Sequence, residues 1–205
     1  MRSKYILRLI LFFLILAAIG IRLGLIYTRV HPSSEEVWAL LLSRADFQQI
    51  WIATFADLHG PVYFMLLHIL KLILPFPLTI EYLRLVSLFI GIAACFGTWY
   101  LGNIAAGKKI GLISFILSLF LPASVWSAIF ARYYTLLILL AIITTILFIS
   151  FLRNGSLRHL IWIVLISTIG VYTHYYFILL NISFTFFLLL ASQYRKLIFK
   201  WIYAL

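Results

Sequence analysis

Residues 85–105 read LVSLFIGIAACFGTWYLGNIA, a run of 21 residues without a single charge. As a helix rising 1.5 Å per residue this stretch reaches ~31 Å, the thickness of a bilayer's hydrocarbon core. Read outward from it, the chain repeats the pattern. Apolar runs cover Ile6–Tyr27, Ile110–Ser127, Tyr133–Leu152, Leu160–Tyr172 and Phe177–Leu190, and another begins at Leu197. The whole 205-residue chain is 65% hydrophobic and 10% charged, with mean hydropathy +1.15. A soluble domain carries about 25% charge, so a soluble enzyme, a disordered chain and a disulfide-stapled secreted module are all excluded. Cys95 stands alone, which forbids an intrachain disulfide and a thiolate metal cluster. The expected fold is an all-α polytopic membrane protein, with residues 1–205 as one transmembrane domain of about six spans and a truncated seventh. The last run, residues 197–205, would reach only ~13.5 Å as helix, which predicts a chain that continues past residue 205.

Two features need orientation to resolve. The N-terminal Met1-Arg2-Ser3-Lys4, with Ala17, Ala18 and Gly20 downstream, imitates a signal peptide. Its apolar run exceeds a simple signal core and more spans follow, which favours a signal anchor. The stretch Pro61–Pro75 is short for a span and contains His68 and Lys71. Short loops rich in Lys and Arg stay cytoplasmic. If Pro61–Pro75 does not cross, Arg2, Lys4, Arg8, Lys108, Lys109, Arg153, Arg158, Arg195, Lys196 and Lys200 lie inside. Only Arg29, Arg44, Lys71, Arg84 and Arg132 then lie outside, with Arg22 inside the first span. If it crosses, the bias nearly vanishes. The expectation is therefore an integral plasma-membrane protein with a cytoplasmic N-terminus and an interfacial or re-entrant helix at Pro61–Pro75 on the outer face.

Charge then points to a place. Sixteen Lys and Arg against five acids give a net charge of +11, but the basic residues are scattered between apolar runs, so no nucleic-acid partner is implied. All five acids, Glu35, Glu36, Asp46, Asp57 and Glu81, fall in the long first extracytoplasmic loop, residues 28–83. Long loops among short ones are commonly functional. Trp38, Phe47, Ile50, Trp51, Ile52 and Phe55 make this one hug the membrane. The same face receives Arg132, within PASVWSAIFARYY at 122–134, and His174, within YTHYY at 172–176. A guanidinium at a helix end either snorkels or meets a phosphate, and a histidine there is either hydrogen-bonded structure or chemistry. His59 precedes a Gly60-Pro61 bend. No phosphate-cradling glycine loop, HExxH or GxSxG occurs. His31, His59 and Glu35 lack a diagnostic metal-ligand spacing. A divalent cation stays open as a cofactor, and no metal ligand is assigned.

The order of these landmarks resembles one family. Glu35-Glu36 follows the first span, then come Asp57-Leu58-His59-Gly60-Pro61-Val62-Tyr63, Glu81-Tyr82-Leu83-Arg84-Leu85, Lys108-Lys109, Ala131-Arg132-Tyr133-Tyr134 and Tyr172-Thr173-His174-Tyr175. Together they resemble the GT-C membrane glycosyltransferases, in the protein-mannosyltransferase and aminoarabinose-transferase-like branch. Family members typically carry Asp-Glu where this chain has Glu35-Glu36, His-Pro-Pro at His59-Gly60-Pro61, and Gln-Glu-Ala-Arg at Ile129-Phe130-Ala131-Arg132. They are also much longer, so the chain resembles an N-terminal half. The resemblance implies an inverting transfer of sugar from a polyprenyl-phosphate donor to a glycan, lipid or protein acceptor. It implies a catalytic carboxylate among Glu35, Glu36 and Asp57, with Glu35 first, and substrate contacts from His59, Lys71, Arg132, Tyr133 and His174. A non-catalytic subunit or half-molecule of such an enzyme is the alternative. A transporter fits less well, because the spans carry almost no acids and no repeat is visible.

Overall fold

The computed structural model describes residues 2–29, 31–56, 59–74 and 78–204, and among these the chain is helical throughout, with no strand. The long helices come first to attention. Helix α1 spans Arg2–Thr28, α5 Ile80–Ala106 and α8 Tyr134–Asn154. All three are long and apolar enough to cross a membrane. A fourth and a fifth crossing arise only if two bent pairs each count as one span. These are α6 (Lys108–Phe120) with α7 (Pro122–Ile129), bent by 54°, and the Tyr175–Leu190 segment containing α10 (Ile178–Leu190) with Ser192–Ala204 containing α11 (Ile198–Ala204), bent by 115°. Helix α9, Leu157–Thr173, is 17 residues long and returns along α8. The chain is thus a membrane protein with three to five candidate spans, a coarser count than six and part of a seventh. The run expected to open a seventh span forms α11, turned by 115° from the segment before it. Trp201 buries itself against Phe148, Phe151 and Phe184, and its indole N–H donates to Thr185 Oγ1 at 2.9 Å.

Each turn has a local cause. Gly107 (φ +90°) ends α5, and Gly155 (φ +60°) closes α8 in the left-handed region that favours glycine. Helices α5 and α6 pack closely, so that a Cβ on Gly111 would lie 2.7 Å from the Trp99 carbonyl oxygen. The α6–α7 bend falls at Leu121-Pro122. Pro122 has no amide hydrogen to give the Ser118 carbonyl, which accepts instead from Cys95 Sγ at 3.4 Å. The Leu119 carbonyl accepts from the guanidinium of Arg22 on α1 at 2.9 Å, and the same Arg22 nitrogen reaches the Ala18 carbonyl at 3.0 Å. Arg22 is fully buried.

The loop expected over 28–83 is a small helical cap. Helices α2 (Ser34–Arg44), α3 (Phe47–Ala56) and α4 (Val62–Ile73) share a core of Ala39, Leu42, Ile50, Tyr63, Phe64 and Leu67, completed by Leu83, Ala131 and Tyr133 from the bundle. Helix α4 lies on α2. His68 Nδ1 meets the Ser43 carbonyl at 3.2 Å, Lys71 Nζ donates to the Arg44 carbonyl at 3.1 Å, and Tyr63 and Ser87 hydroxyls pair at 3.2 Å. The head of α4 is thus tied to α5, and its C-terminal half to the end of α2. Pro75, the last residue of the stretch Pro61–Pro75, lies outside the described residues. The cap gathers at one end of the bundle with the C-terminus of α1 and the starts of α5 and α8. The helix junctions near Lys108, Arg153 and Lys196 gather at the other.

Candidate functional site

The site is built where the first turn of α2 meets the segment between α7 and α8. Ser33 caps α2: its hydroxyl accepts from the Glu36 amide at 3.3 Å, and its own amide donates to Glu36 Oε2 at 3.0 Å. This reciprocal box satisfies two helix-end donors and fixes the direction of the Glu36 carboxylate. Glu35 and Glu36 also sit where the helix dipole favours negative charge. They then diverge. Glu36 turns inward to Arg84 of α5, and Glu35 turns to Arg132.

Glu36 is fully buried and Arg84 is 1% exposed. Arg84 Nε donates to Glu36 Oε1 at 2.8 Å and Arg84 Nη2 to Oε2 at 2.9 Å, a bidentate pair. The Ala131 amide adds a bond to Oε1 at 3.1 Å. Burial pushes the Glu36 carboxyl up, but the Arg84 guanidinium and the Ser33 and Ala131 amides outweigh it and hold the group at about 2. Glu36 does not line the cavity beside it. The expectation that it could serve as a catalytic carboxylate meets a group whose lone pairs are already used.

Glu35, by contrast, is more than half exposed and forms an ion pair with Arg132, whose side chain is 9% exposed. Arg132 Nη2 approaches His59 Nε2 at 3.5 Å, and its guanidinium lies 5.1 Å from the Tyr133 ring and 5.2 Å from that of Tyr134. Burial works against the Arg132 charge, yet pairing with Glu35 and the neighbouring tyrosines leaves it above its ordinary value. Glu35, Trp38, His59, Tyr63, Arg132 and Tyr133 line a cavity of about 330 Å³. Burial raises Tyr133, and it lifts Tyr63 far above the usual phenol range.

Gly60 places His59. A Cβ at position 60 would lie 1.9 Å from the Tyr172 carbonyl oxygen, so only glycine permits this contact between the head of α4 and the end of α9. The contact brings the rings of His59 and His174 to 6.4 Å, and His174 to 4.8 Å from Tyr133. His174 is nearly buried behind those two rings. It accepts from the Tyr176 amide at Nδ1 over 3.3 Å, which places the proton of the neutral ring on Nε2. Burial, then His59 and Arg132, push its pKa down, so it is neutral near pH 7. On the far side of His59 lies an apolar groove of about 440 Å³, walled by Trp51, Phe55, Pro61, Tyr172 and Tyr175. Trp51 and Tyr172 stack at 5.9 Å across it.

Of the residues expected from sequence, Glu35, His59, Arg132 and Tyr133 come together on the cavity, and His174 backs them. Lys71 does not join them. It follows Tyr63 by eight residues, ~12 Å along α4, and is spent on the Arg44 carbonyl. Asp57 lies outside the described residues. Among the described residues no three His, Cys, Asp or Glu side chains come near enough to hold a metal ion, so His31, His59 and Glu35 do not form the set their types suggested. Sequence reasoning missed Arg84 and the Ala131 amide as partners of Glu36. A signal was present: Ser33-x-x-Glu36 has the spacing of a capping box.

No protein-family model matches this chain, and neither a curated protein nor a solved structure was found to match it.

Proposed function

We propose that the chain is a membrane glycosyltransferase, or the part of one that carries the reacting groups. It moves a sugar from a polyprenyl-phosphate donor to a glycan, lipid or protein acceptor on the extracytoplasmic side. The observation that supports this reading most is the Glu35–Arg132 pair on the cavity wall: an accessible carboxylate held against a buried cation, at the end of the bundle that bears the acids. The order of landmarks that resembles the GT-C enzymes is its second support.

In the proposed reaction Glu35 takes the proton from the acceptor hydroxyl as its oxygen attacks the anomeric carbon. The bond from that carbon to the phosphate oxygen breaks, and the electron pair leaves on the lipid phosphate. Charge building on that oxygen is neutralised by Arg132, whose remaining N–H groups suit a phosphate. His59, beside Arg132, is placed to hydrogen-bond the same anion. Attack and departure on opposite faces give inversion. The groove beyond His59 offers the apolar surroundings that a prenyl donor brings with it. The proposed orientation has the N-terminus and the 108–109 turn in the cytoplasm and the α2–α4 cap outside, following the Lys/Arg bias.

The test is transfer by membranes containing the protein, supplied with a panel of radiolabelled polyprenyl-phosphate sugars. Label leaving the lipid in the wild type but not in Glu35→Gln is the expected result. No transfer from any donor by well-expressed wild-type protein would overturn the reading.

A further inference from the structure

Two chain-adjacent pairs face each other across the site. Glu35 pairs with the Arg132 side chain, and Glu36 accepts from the Ala131 backbone amide. The first turn of α2 is therefore attached to the α7–α8 segment at two consecutive residues on each side. One attachment is solvent-facing and made of the reacting groups. The other is buried, and its carboxylate does not line the cavity.

The buried attachment does not float. Arg84 grips Glu36 with Nε and Nη2, and its Nη1 donates to the carbonyls of Arg29 at 2.8 Å and Ile26 at 3.3 Å, at the end of α1. Glu36 adds the Ser33 amide at 3.0 Å, and Arg29 Nη2 stands 3.7 Å away. Thus α1, α2, α5 and the α7–α8 segment all end on one carboxylate–guanidinium pair.

We propose that Glu36 and Arg84 are the positioning pair of this site: they set the place of Arg132 through the Ala131 amide, and of Glu35 through the first turn of α2. This rests on the transferase reading for its kinetic consequence but not for its geometry. A bidentate guanidinium with two further carbonyl bonds has no substitute in an ammonium, which keeps the charge and loses the fork. Arg84→Lys therefore leaves charge balance intact and lets Ala131-Arg132 shift relative to Glu35. A misplacement of about 1 Å costs roughly 10²-fold in rate.

The experiment uses two readouts on monodisperse protein in detergent. The first is transfer: Arg84→Lys is expected to lower kcat by roughly 10- to 100-fold with acceptor KM within about twofold. A purely structural pair would lower the yield of folded protein and leave kcat per molecule unchanged. The second needs no substrate. In a Cys95→Ser background, Glu35→Cys with Arg132→Cys is treated with a short bis-methanethiosulfonate reagent. That double substitution removes the solvent-facing attachment, so the buried one alone holds the two positions together. Arg84→Lys is expected to slow cross-linking severalfold. If Arg84→Lys does not yield monodisperse protein, Glu36→Gln, which keeps the volume and one acceptor oxygen, takes its place in both arms. Unchanged cross-linking together with unchanged kcat overturns the proposal. If the wild type transfers nothing, the cross-linking arm alone decides it, and only the transferase reading falls.

Discussion

Glu35 and Glu36 are neighbours in the chain and opposites in the fold. Removing a general base costs ~10²–10⁴ in rate, so Glu35→Gln should bring transfer near background with expression and donor-lipid binding retained. Arg132→Ala should weaken binding of polyprenyl phosphate as well as turnover, because a phosphate contact exists before the reaction too. A titration of the lipid phosphate against purified protein separates the two, and unaltered binding in Arg132→Ala would remove that residue from the phosphate site. Glu36 makes a different prediction. Its carboxyl is held at about 2 against an ordinary 4.5, so the folded state binds fewer protons than the unfolded one. The stabilisation is complete above about pH 4.5 and is lost as pH falls towards 2, to a total on the order of 3 kcal/mol. Melting temperatures in detergent should decline across that window in the wild type and less so in Glu36→Gln. The sequence showed an acidic pair but not which member faces the cavity. That depends on a rotation of α2 fixed by the Ser33 cap and by Arg84, 48 residues away. Lys71 illustrates the same limit, since its charge is visible in the chain and its direction along α4 is not.

At the scale of elements, the long apolar helices were legible because hydropathy over twenty residues leaves few alternatives. The stretch Pro61–Pro75 was legible as a short helix by its length and its lysine. The three-helix cap was not. In a chain this hydrophobic, the apolar faces of α2 and α3 do not stand out from their surroundings, and residues 28–83 read as one loop. The α6–α7 bend was half visible: Pro122 can start a helix or end one, and only the partners of the freed carbonyls decide. Two substitutions probe these joints. Gly60→Ala places a methyl group on the Tyr172 backbone, so the head of α4 must leave the end of α9. Activity should fall sharply, and the apolar groove beside His59 should open. Wild-type activity in Gly60→Ala would mean that the contact between these segments does not set the site. Arg22→Ala leaves the Leu119 carbonyl without its partner, a loss of about 1–3 kcal/mol. A lowered melting temperature with the oligomeric state unchanged is the expected reading.

For the whole molecule, Glu35, Glu36 and Asp46 lie in the α2–α4 cap and Glu81 at the start of α5, while the helix junctions near Lys108, Arg153 and Lys196 are basic. In a Cys95→Ser background, a membrane-impermeant maleimide should label Asp46→Cys on intact cells and Lys108→Cys only after permeabilisation. The reverse pattern would invert the proposed orientation. The molecule's dependence on distant partners also has a history in time. Arg22 is bonded to a carbonyl 97 residues further along the chain. A ribosome adds ~5–20 residues per second, so Leu119 is synthesised some 5–20 s after Arg22. During that interval the guanidinium, six residues from the C-terminal end of α1, has the Ala18 carbonyl of its own helix but not the Leu119 carbonyl that later joins it. The bond that ties α1 to α6 through Arg22 therefore closes only once the second half of α6 has been made.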